Sequence, residues 1–185
     1  VLEAGFKVLL HRYSGQDDIS VGTPIAGRNR AELEGLIGFF VNTLVLRSRV
    51  NPQASFGDLL EHVKETALQA YAHQEVPFEF LVEDLKPQRS MSYSPLFQVM
   101  FILQNAPREK LEIPGLSFEQ MASPTQTAKF DLTCSLTEGG DRLFGGLEYN
   151  TDLFDEATIQ RLAGHYEVLL EGICADPGTK IADLP

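Results

Sequence analysis

Ile37-Gly38-Phe39-Phe40-Val41-Asn42-Thr43-Leu44-Val45-Leu46-Arg47 is the stretch on which the reading of this 185-residue chain turns. Residues 39–47 are β-rich and apolar on both parities, the pattern of a strand covered on both faces. Asn42 breaks that pattern. It shares parity with Phe40 and Leu44, so a carboxamide stands on an otherwise apolar face. An unbonded carboxamide there costs roughly 1–3 kcal/mol, so Asn42 needs a partner, in a neighbouring loop or in a site.

Upstream, Leu2, Phe6, Leu9, Leu10 and Tyr13 recur at helical spacing, and the helix ends near Ser14-Gly15, where glycine accepts the left-handed cap. Ile19, Val21 and Thr23 alternate as a short strand. Residues 22–36, rich in Gly, Arg, Asn and Glu, read as a long loop with at most one helical turn.

Downstream, Ser55 and Asp58 form a variant capping box ahead of a stripe of Phe56, Leu59, Leu60, Val63, Ala67, Ala70 and Tyr71. A second helix begins at Pro77, buries Phe78, Leu81, Val82 and Leu85, and is stopped by Pro87. Residues 96–104 are apolar on both parities, as a central strand would be. Phe130, Leu132, Cys134 and Leu136 alternate with Asp131, Thr133, Ser135 and Thr137, so the polar set should face solvent or another body. A turn at Gly139-Gly140 leads to a strand over 143–149. Asp155 then caps a helix whose stripe is Ile159, Leu162, Ala163, Tyr166, Leu169, Leu170 and Ile173, stapled by Phe154 against Ile159. Helices and strands interleave without a strict βαβ rhythm, which implies an α/β two-layer sandwich with a mixed sheet. The first helix has no N-cap and residues 181–185 read as a linker, so both ends read as truncated.

A composition of 43% hydrophobic and 22% charged residues is that of a folded domain. The net charge of −11 disfavours nucleic acid and anionic lipid as partners. No apolar run approaches a membrane span and no signal peptide opens the chain. Cys134 and Cys174 form no metal or redox pair and read as small core residues in a reducing cytoplasm. Of the histidines, His11 reads as packing, His62 and His165 as solvated, and His73 as part of a helix-proline-helix junction where it and Gln74 satisfy terminal carbonyls. None has a zinc-like spacing or a nucleophile beside it.

Three stretches carry a resemblance. Residues 37–47 resemble the fifth core motif of the condensation domains of nonribosomal peptide synthetases, a Gly-x-Phe-Val-Asn-Thr strand ending in Arg. His73-Gln74-Glu75-Val76-Pro77-Phe78-Glu79 resembles the sixth, His-Gln-Asp-x-Pro-Phe-Glu. Arg89-Ser90-Met91-Ser92-Tyr93-Ser94-Pro95-Leu96 resembles the seventh, Arg-Asp-x-Ser-Arg-Asn-Pro-Leu, with Ser90, Tyr93 and Ser94 replacing its charged or amide residues. The order is the family's and the likeness spans 1–185. It implies a chloramphenicol-acetyltransferase-like lobe, the C-terminal one of two, with the catalytic His-His-x-x-x-Asp-Gly motif in the other.

The implied activity is amide bond formation between aminoacyl or peptidyl thioesters, delivered on 4′-phosphopantetheine by upstream and downstream peptidyl carrier domains, with an adenylation domain as neighbour. The lobe would supply tunnel wall, a floor loop before Gly38 and a latch at 130–149. It holds no catalytic residue or metal site of its own; its tunnel or interlobe candidates are Asn42, Arg47, Gln74, Arg89, Gln104 and Asn105. Arg47 reads as a strand-end anchor or interlobe ion pair. Epimerisation or heterocyclisation domains of the same superfamily, or a non-catalytic carrier-binding lobe, are the alternatives.

Overall fold

Alternation along 130–137 decides which face of the sheet meets the helices. Leu132, Cys134 and Leu136 are buried in the core, while the residues between them point to the opposite face. The computed structural model describes residues 1–87, 93–104, 116 and 127–185. In chain order the elements are α1 (Leu2–Ser14), β1 (Asp18–Ile25), the single turn α2 (Ala31–Glu34), β2 (Asn42–Arg49), α3 (Phe56–Ala72), α4 (Phe78–Leu85), β3 (Val99–Gln104), β4 (Leu132–Gly139), β5 (Arg142–Tyr149), α5 (Glu156–Ala175) and a 3₁₀ turn (Ile181–Asp183).

The strands form one mixed sheet in the order β2-β1-β3-β4-β5. β1 is antiparallel to β2 and parallel to β3; β3 is parallel to β4, which is antiparallel to β5. The mixed-sheet sandwich expected from the sequence is present. β3 is central, and Met100 and Phe101, on opposite faces, are both buried.

Helices α1, α3 and α5 cover one face. Phe6 of α1 stands at the middle, its ring centroid 5.7 Å from Phe101 below it and 5.7 Å from Tyr166 of α5 beside it. The Tyr166 hydroxyl donates to the Leu2 carbonyl at 2.7 Å, which satisfies the one polar atom of that half-apolar side chain. Ser55 and Asp58 form the expected reciprocal capping box of α3, each side chain accepting from the other residue's backbone N–H at 3.1 Å. Gly15 adopts φ 69 and closes α1.

Several expectations are corrected. Residues 39–41 precede β2, which begins at Asn42 and lies at the sheet edge, and its burial alternates, so only one face is fully covered: Leu44, Leu46 and Ser48 are buried while Arg47 and Arg49 are exposed. Apolar content on both parities reflected the exposed loop before β2, not a second covering layer. Pro77 is the N-cap of α4, and that helix buries no residue fully; Leu85 is exposed. Tyr13 and Tyr71 fall on helical stripes yet are exposed. The β4–β5 loop is Gly140-Asp141, flanked by the pair Gly139 and Arg142, with Gly140 at φ 70. Cys174 is exposed. The tail is no loose linker: Ile181 and Leu184 are buried, and Arg12 donates to the carbonyls of Ile181, Leu184 and Pro185 at 2.6–2.8 Å. No helix among the described residues is long and apolar enough to cross a membrane.

One core residue escaped the sequence reading. Lys7 is fully buried, its ammonium donating to Ser48 Oγ at 2.9 Å and lying 2.8 Å from Glu3 Oε1. Burial pushes its pKa down and Glu3 opposes that shift. Polar atoms so enclosed tie α1 to β2, and removing one partner strands the other. Glu3→Ala, which leaves the buried ammonium without its carboxylate, is therefore expected to lower stability by about 2–3 kcal/mol in urea unfolding, whereas the double variant Glu3→Ala/Lys7→Met, which removes both charges, should cost less than about 1.5 kcal/mol. Equal costs for the two would show that the pair contributes no more than packing.

The two cysteines differ in environment. Burial raises the Cys134 thiol to about 12, while Cys174 is exposed. A thiol-specific chromogenic reagent should titrate one thiol in the folded chain and two in denaturant, and Cys174→Ser should abolish the native reaction.

Candidate functional site

The face of the sheet turned away from α1, α3 and α5 floors a groove of ≈ 910 Å³. Register explains its floor. Gly22 of β1, Met100 of β3, Thr133 of β4 and Glu148 of β5 lie in one row across the strands, and Ile102 and Ser135 form the next. The floor thus runs from apolar at β1 and β3 to polar at β4 and β5. Ser135 is half-buried, as expected of the polar set, but Thr133 is buried, at 8% exposure between Met100 and Glu148.

An aromatic rim covers the apolar end. The ring of Phe97 lies 5.7 Å from Phe78 and 5.4 Å from Phe130, centroid to centroid. Phe97 lies so close over β1 that a Cβ on Gly22 would stand 2.3 Å from its ring, so only glycine fits there. A tight turn aims this ring. Leu96 holds φ 71 and the Phe97 N–H donates to the Pro95 carbonyl at 2.9 Å, a strained conformation for a leucine.

Asn42 builds the wall. Its Nδ2 donates to the carbonyls of Gln74 at 2.9 Å and Val76 at 2.8 Å, and its Oδ1 accepts from the Phe78 N–H at 3.2 Å and the Thr43 N–H at 2.9 Å. The amide thus joins the start of β2 to the whole α3–α4 junction. These contacts satisfy both of its donors and its acceptor. The junction is locally prepared for this: His73 is the C-cap of α3, and the backbone N–H groups of His73 and Gln74 bond the carbonyls of Ala70 and Tyr71. It is backbone N–H groups, rather than side chains, that satisfy those carbonyls.

A loop closes the mouth. Gly27, at φ 63, approaches the Phe40 carbonyl so closely that a Cβ would sit 1.9 Å from its oxygen. The Arg28 guanidinium stacks 4.3 Å over the Phe40 ring and bonds the Leu33 carbonyl, and Asn29 Nδ2 donates to Glu75 Oε1 at 2.9 Å. Ile37 and Phe39 project outward, at 104% and 90% exposure.

Of the candidates read from the sequence, Asn42 and Gln74 come together at this groove. Arg47 lies at the other end of β2 in a bidentate pair with Asp18 at 2.6 and 2.8 Å, which holds the Asp18 carboxyl below its ordinary range. The pair joins the ends of β1 and β2 within this chain. Gln104 ends β3, exposed, on the same face as Met100 and Ile102 but not among the residues that line the groove. Arg89 and Asn105 lie outside the described residues. The sequence reading missed Phe97, Phe130, Glu148 and the Arg28–Phe40 stack. Matching the parities of β3, β4 and β5 would have found the floor residue Glu148, had the register been known. Among the described residues no cluster of His, Cys, Asp or Glu could hold a metal ion.

Asn42→Ala leaves three backbone groups of the junction without their partner, and is expected to cost about 2–3 kcal/mol. Asn42→Asp, nearly the same shape, turns acceptor oxygens toward the Gln74 and Val76 carbonyls and should cost at least as much. Urea unfolding gives the cost, and hydrogen exchange should accelerate over 74–85 while the β3–β4 amides stay protected. A change under about 0.5 kcal/mol for both variants would remove Asn42 from this role.

The family model of the condensation domain matches residues 1–185. Tyrocidine synthase 3 of Brevibacillus parabrevis is 47% identical over 184 residues, covering 100% of this chain and 3% of that protein. Gramicidin S synthase 2 of Brevibacillus brevis is 45% identical over 184 residues, covering 100% and 4%. The chain therefore spans only a few per cent of the length of these relatives. Among solved structures, the four-domain nonribosomal peptide synthetase holo-AB3403 superposes with TM-score 0.89 at 27% identity, covering 99% of this chain and 15% of the other. The X-domain from teicoplanin biosynthesis gives 0.88 at 29%, covering 100% and 43%. The first condensation domain of the CDA synthetase gives 0.79 at 25%, covering 100% and 41%. A mixed five-stranded sheet with these neighbours is the chloramphenicol-acetyltransferase-like fold, and the chain belongs to the condensation-domain family of nonribosomal peptide synthetases.

Proposed function

We propose that the chain is the C-terminal lobe of a peptide-forming condensation domain, and that its groove is one wall of the substrate tunnel. The observation that carries this reading is the groove itself: a floor graded from apolar to polar, walled by the Asn42-anchored junction. Solved relatives in which this chain matches about two-fifths of the length leave room for a second lobe facing it.

In this reading the second lobe carries the His-His-x-x-x-Asp-Gly motif. The substrates are an acyl thioester and an aminoacyl thioester, each borne on the 4′-phosphopantetheine arm of a peptidyl carrier domain. The free amine attacks the thioester carbonyl, a C–N bond forms, the C–S bond breaks, and the pantetheine thiol leaves with a proton. This lobe contributes position rather than proton transfer. Asn42 and Gln74 hold the wall, the loop before Gly38, which closes the groove mouth opposite the sheet, is the floor loop of the two-lobed tunnel, and the β4–β5 hairpin is the latch. An adenylation domain would adjoin it, as multidomain synthetase relatives suggest.

A second reading has one observation in its favour. The X-domain is among the close structural neighbours, and it has also been solved in a complex with OxyB, with TM-score 0.86 at 30% identity. By that analogy the lobe would bind a protein partner without catalysing condensation.

The test incubates the chain with loaded donor and acceptor carrier domains, with and without a separately produced double-histidine lobe, and follows dipeptide by mass spectrometry. Turnover only with both halves is expected. Dipeptide formed by this chain alone above background overturns the two-lobe reading. Carrier binding without turnover, in the presence of a competent first lobe, favours the binding reading. In the reconstituted enzyme, Asn42→Ala should lower turnover about tenfold or more through misplacement of the wall.

A further inference from the structure

Strand β4 places the hydroxyls of Thr133 and Ser135 on the groove floor, at the base of the hairpin and away from its turn. Alternate residues of a strand stand about 6.5–7 Å apart on one face. Neither hydroxyl has a hydrogen-bond partner among the described residues, whereas Glu148, beside Thr133 in the register, is already engaged within the chain.

Thr133 is the more telling of the pair. It is 8% exposed, yet its hydroxyl is not sealed into the core, because the face on which it stands is the groove's. A buried hydroxyl without a partner is destabilising, and nearly all such groups in folded proteins are satisfied. Valine has the same shape, suits a strand as well and carries no such penalty. A threonine here points to a partner supplied from outside the chain.

A second observation concerns Ser135. Its neighbour on β5 is Gly146, and a Cβ at that glycine would meet nothing within 4 Å. Directly paired residues stand on the same face, so any side chain at 146 would stand beside Ser135 over the floor. The glycine leaves that space open, although a glycine inside a strand weakens it.

The chemistry of the pair specifies its ligand. Each hydroxyl can both donate and accept, and neither carries charge, so the pair suits a neutral group that offers an N–H and a C=O. A secondary amide is such a group. Amides along an extended chain repeat on one side at the spacing of alternate strand residues, and Met100 and Ile102 alongside suit the carbons between them. Thioester substrates of carrier domains hold secondary amides in the pantetheine arm and, when peptidyl, in the acyl chain. We infer that Thr133 and Ser135 form a binding strip for the secondary amides of a thioester substrate laid across β4, an inference that rests on reading the groove as a tunnel wall.

The test follows dipeptide formation by this chain paired with the double-histidine lobe, using soluble thioesters that differ in where an amide lies. The donors are N-acetylphenylalanyl and 3-phenylpropionyl groups, each esterified to pantetheine and to butanethiol. The acceptor, a phenylalanyl thioester, is offered on the same thiols. For amide-bearing substrates Thr133→Val should lower kcat/KM about fivefold to tenfold, mainly through KM, and Thr133→Val/Ser135→Ala about thirtyfold. The pair of substrates without any amide should change less than about twofold. Thr133→Ser, which keeps the hydroxyl, should retain at least about half of the original value. The component whose amide governs the loss, whether donor acyl, donor arm or acceptor arm, identifies the ligand of the strip. Equal losses with and without amides, or no loss with any substrate, overturn the inference. Ile102→Trp, which fills the floor, probes the underlying reading: turnover unaffected with every substrate would show that the groove is not the tunnel wall. A block by Ile102→Trp without amide-dependent losses in the hydroxyl variants overturns this inference alone. Circular dichroism checks each fold, and Ser135→Ala carries the same comparison should Thr133→Val misfold.

Discussion

A single carboxamide with all its hydrogen-bonding groups engaged organises the functional face of this molecule. Asn42 stands where β2 begins, and through four bonds to backbone it fixes the relation of the sheet edge to the α3–α4 junction. α4 buries no residue completely and packs only through half-buried Phe78, Leu81 and Val82, so hydrogen bonds to its first turn matter more to its placement. The bond from Asn42 Oδ1 to the Phe78 N–H secures the first turn of α4 and thereby aims Phe78 at Phe97. Phe97 in turn fits only because β1 carries glycine beneath it. The groove wall is thus a chain of dependencies from one polar side chain through two aromatic rings to a missing Cβ.

The opposite face is built on a different principle. There the helices meet the sheet through an apolar core into which Lys7 intrudes, compensated by Glu3 and Ser48. This face resists change because every substituent is enclosed, and removal of any one leaves an unfilled volume or an unpaired group. The groove face tolerates exposure, since Ile37, Phe39 and Phe80 stand well out from it. A rigid layer carrying a partly uncovered one is the arrangement expected of a body that positions ligands against a second surface.

Much of this was legible in the chain. The capping box at Ser55 and Asp58, the glycine that ends α1, the buried stripe of α5, and the alternation of 130–137 are local features, set by contacts within a few residues, and they stand where the sequence placed them, although Asp155 makes no side-chain capping bond at the start of α5. The need of Asn42 for a partner was likewise legible, because the cost of an unbonded amide on an apolar strand does not depend on the fold. The sequence left Arg47 open between a strand-end anchor and an interlobe ion pair; its bond to Asp18, which opens the neighbouring strand, depends on the β1–β2 register.

What the sequence by itself determined was the identity of the helices and strands, the mixed α/β class and the family. Only the tertiary structure decided that β2 is an edge strand, that Lys7 is buried, that the tail at Ile181 and Leu184 returns to the core under Arg12, and that Thr133 and Glu148 share a floor with Met100. Each depends on contacts between residues distant in the chain: Lys7 meets Ser48 across 41 positions, and Arg12 meets Leu184 across 172. Periodicity reports which side of an element is apolar; it carries no information about which element lies opposite, because that is set by sheet order and register, and these are properties of the assembled whole.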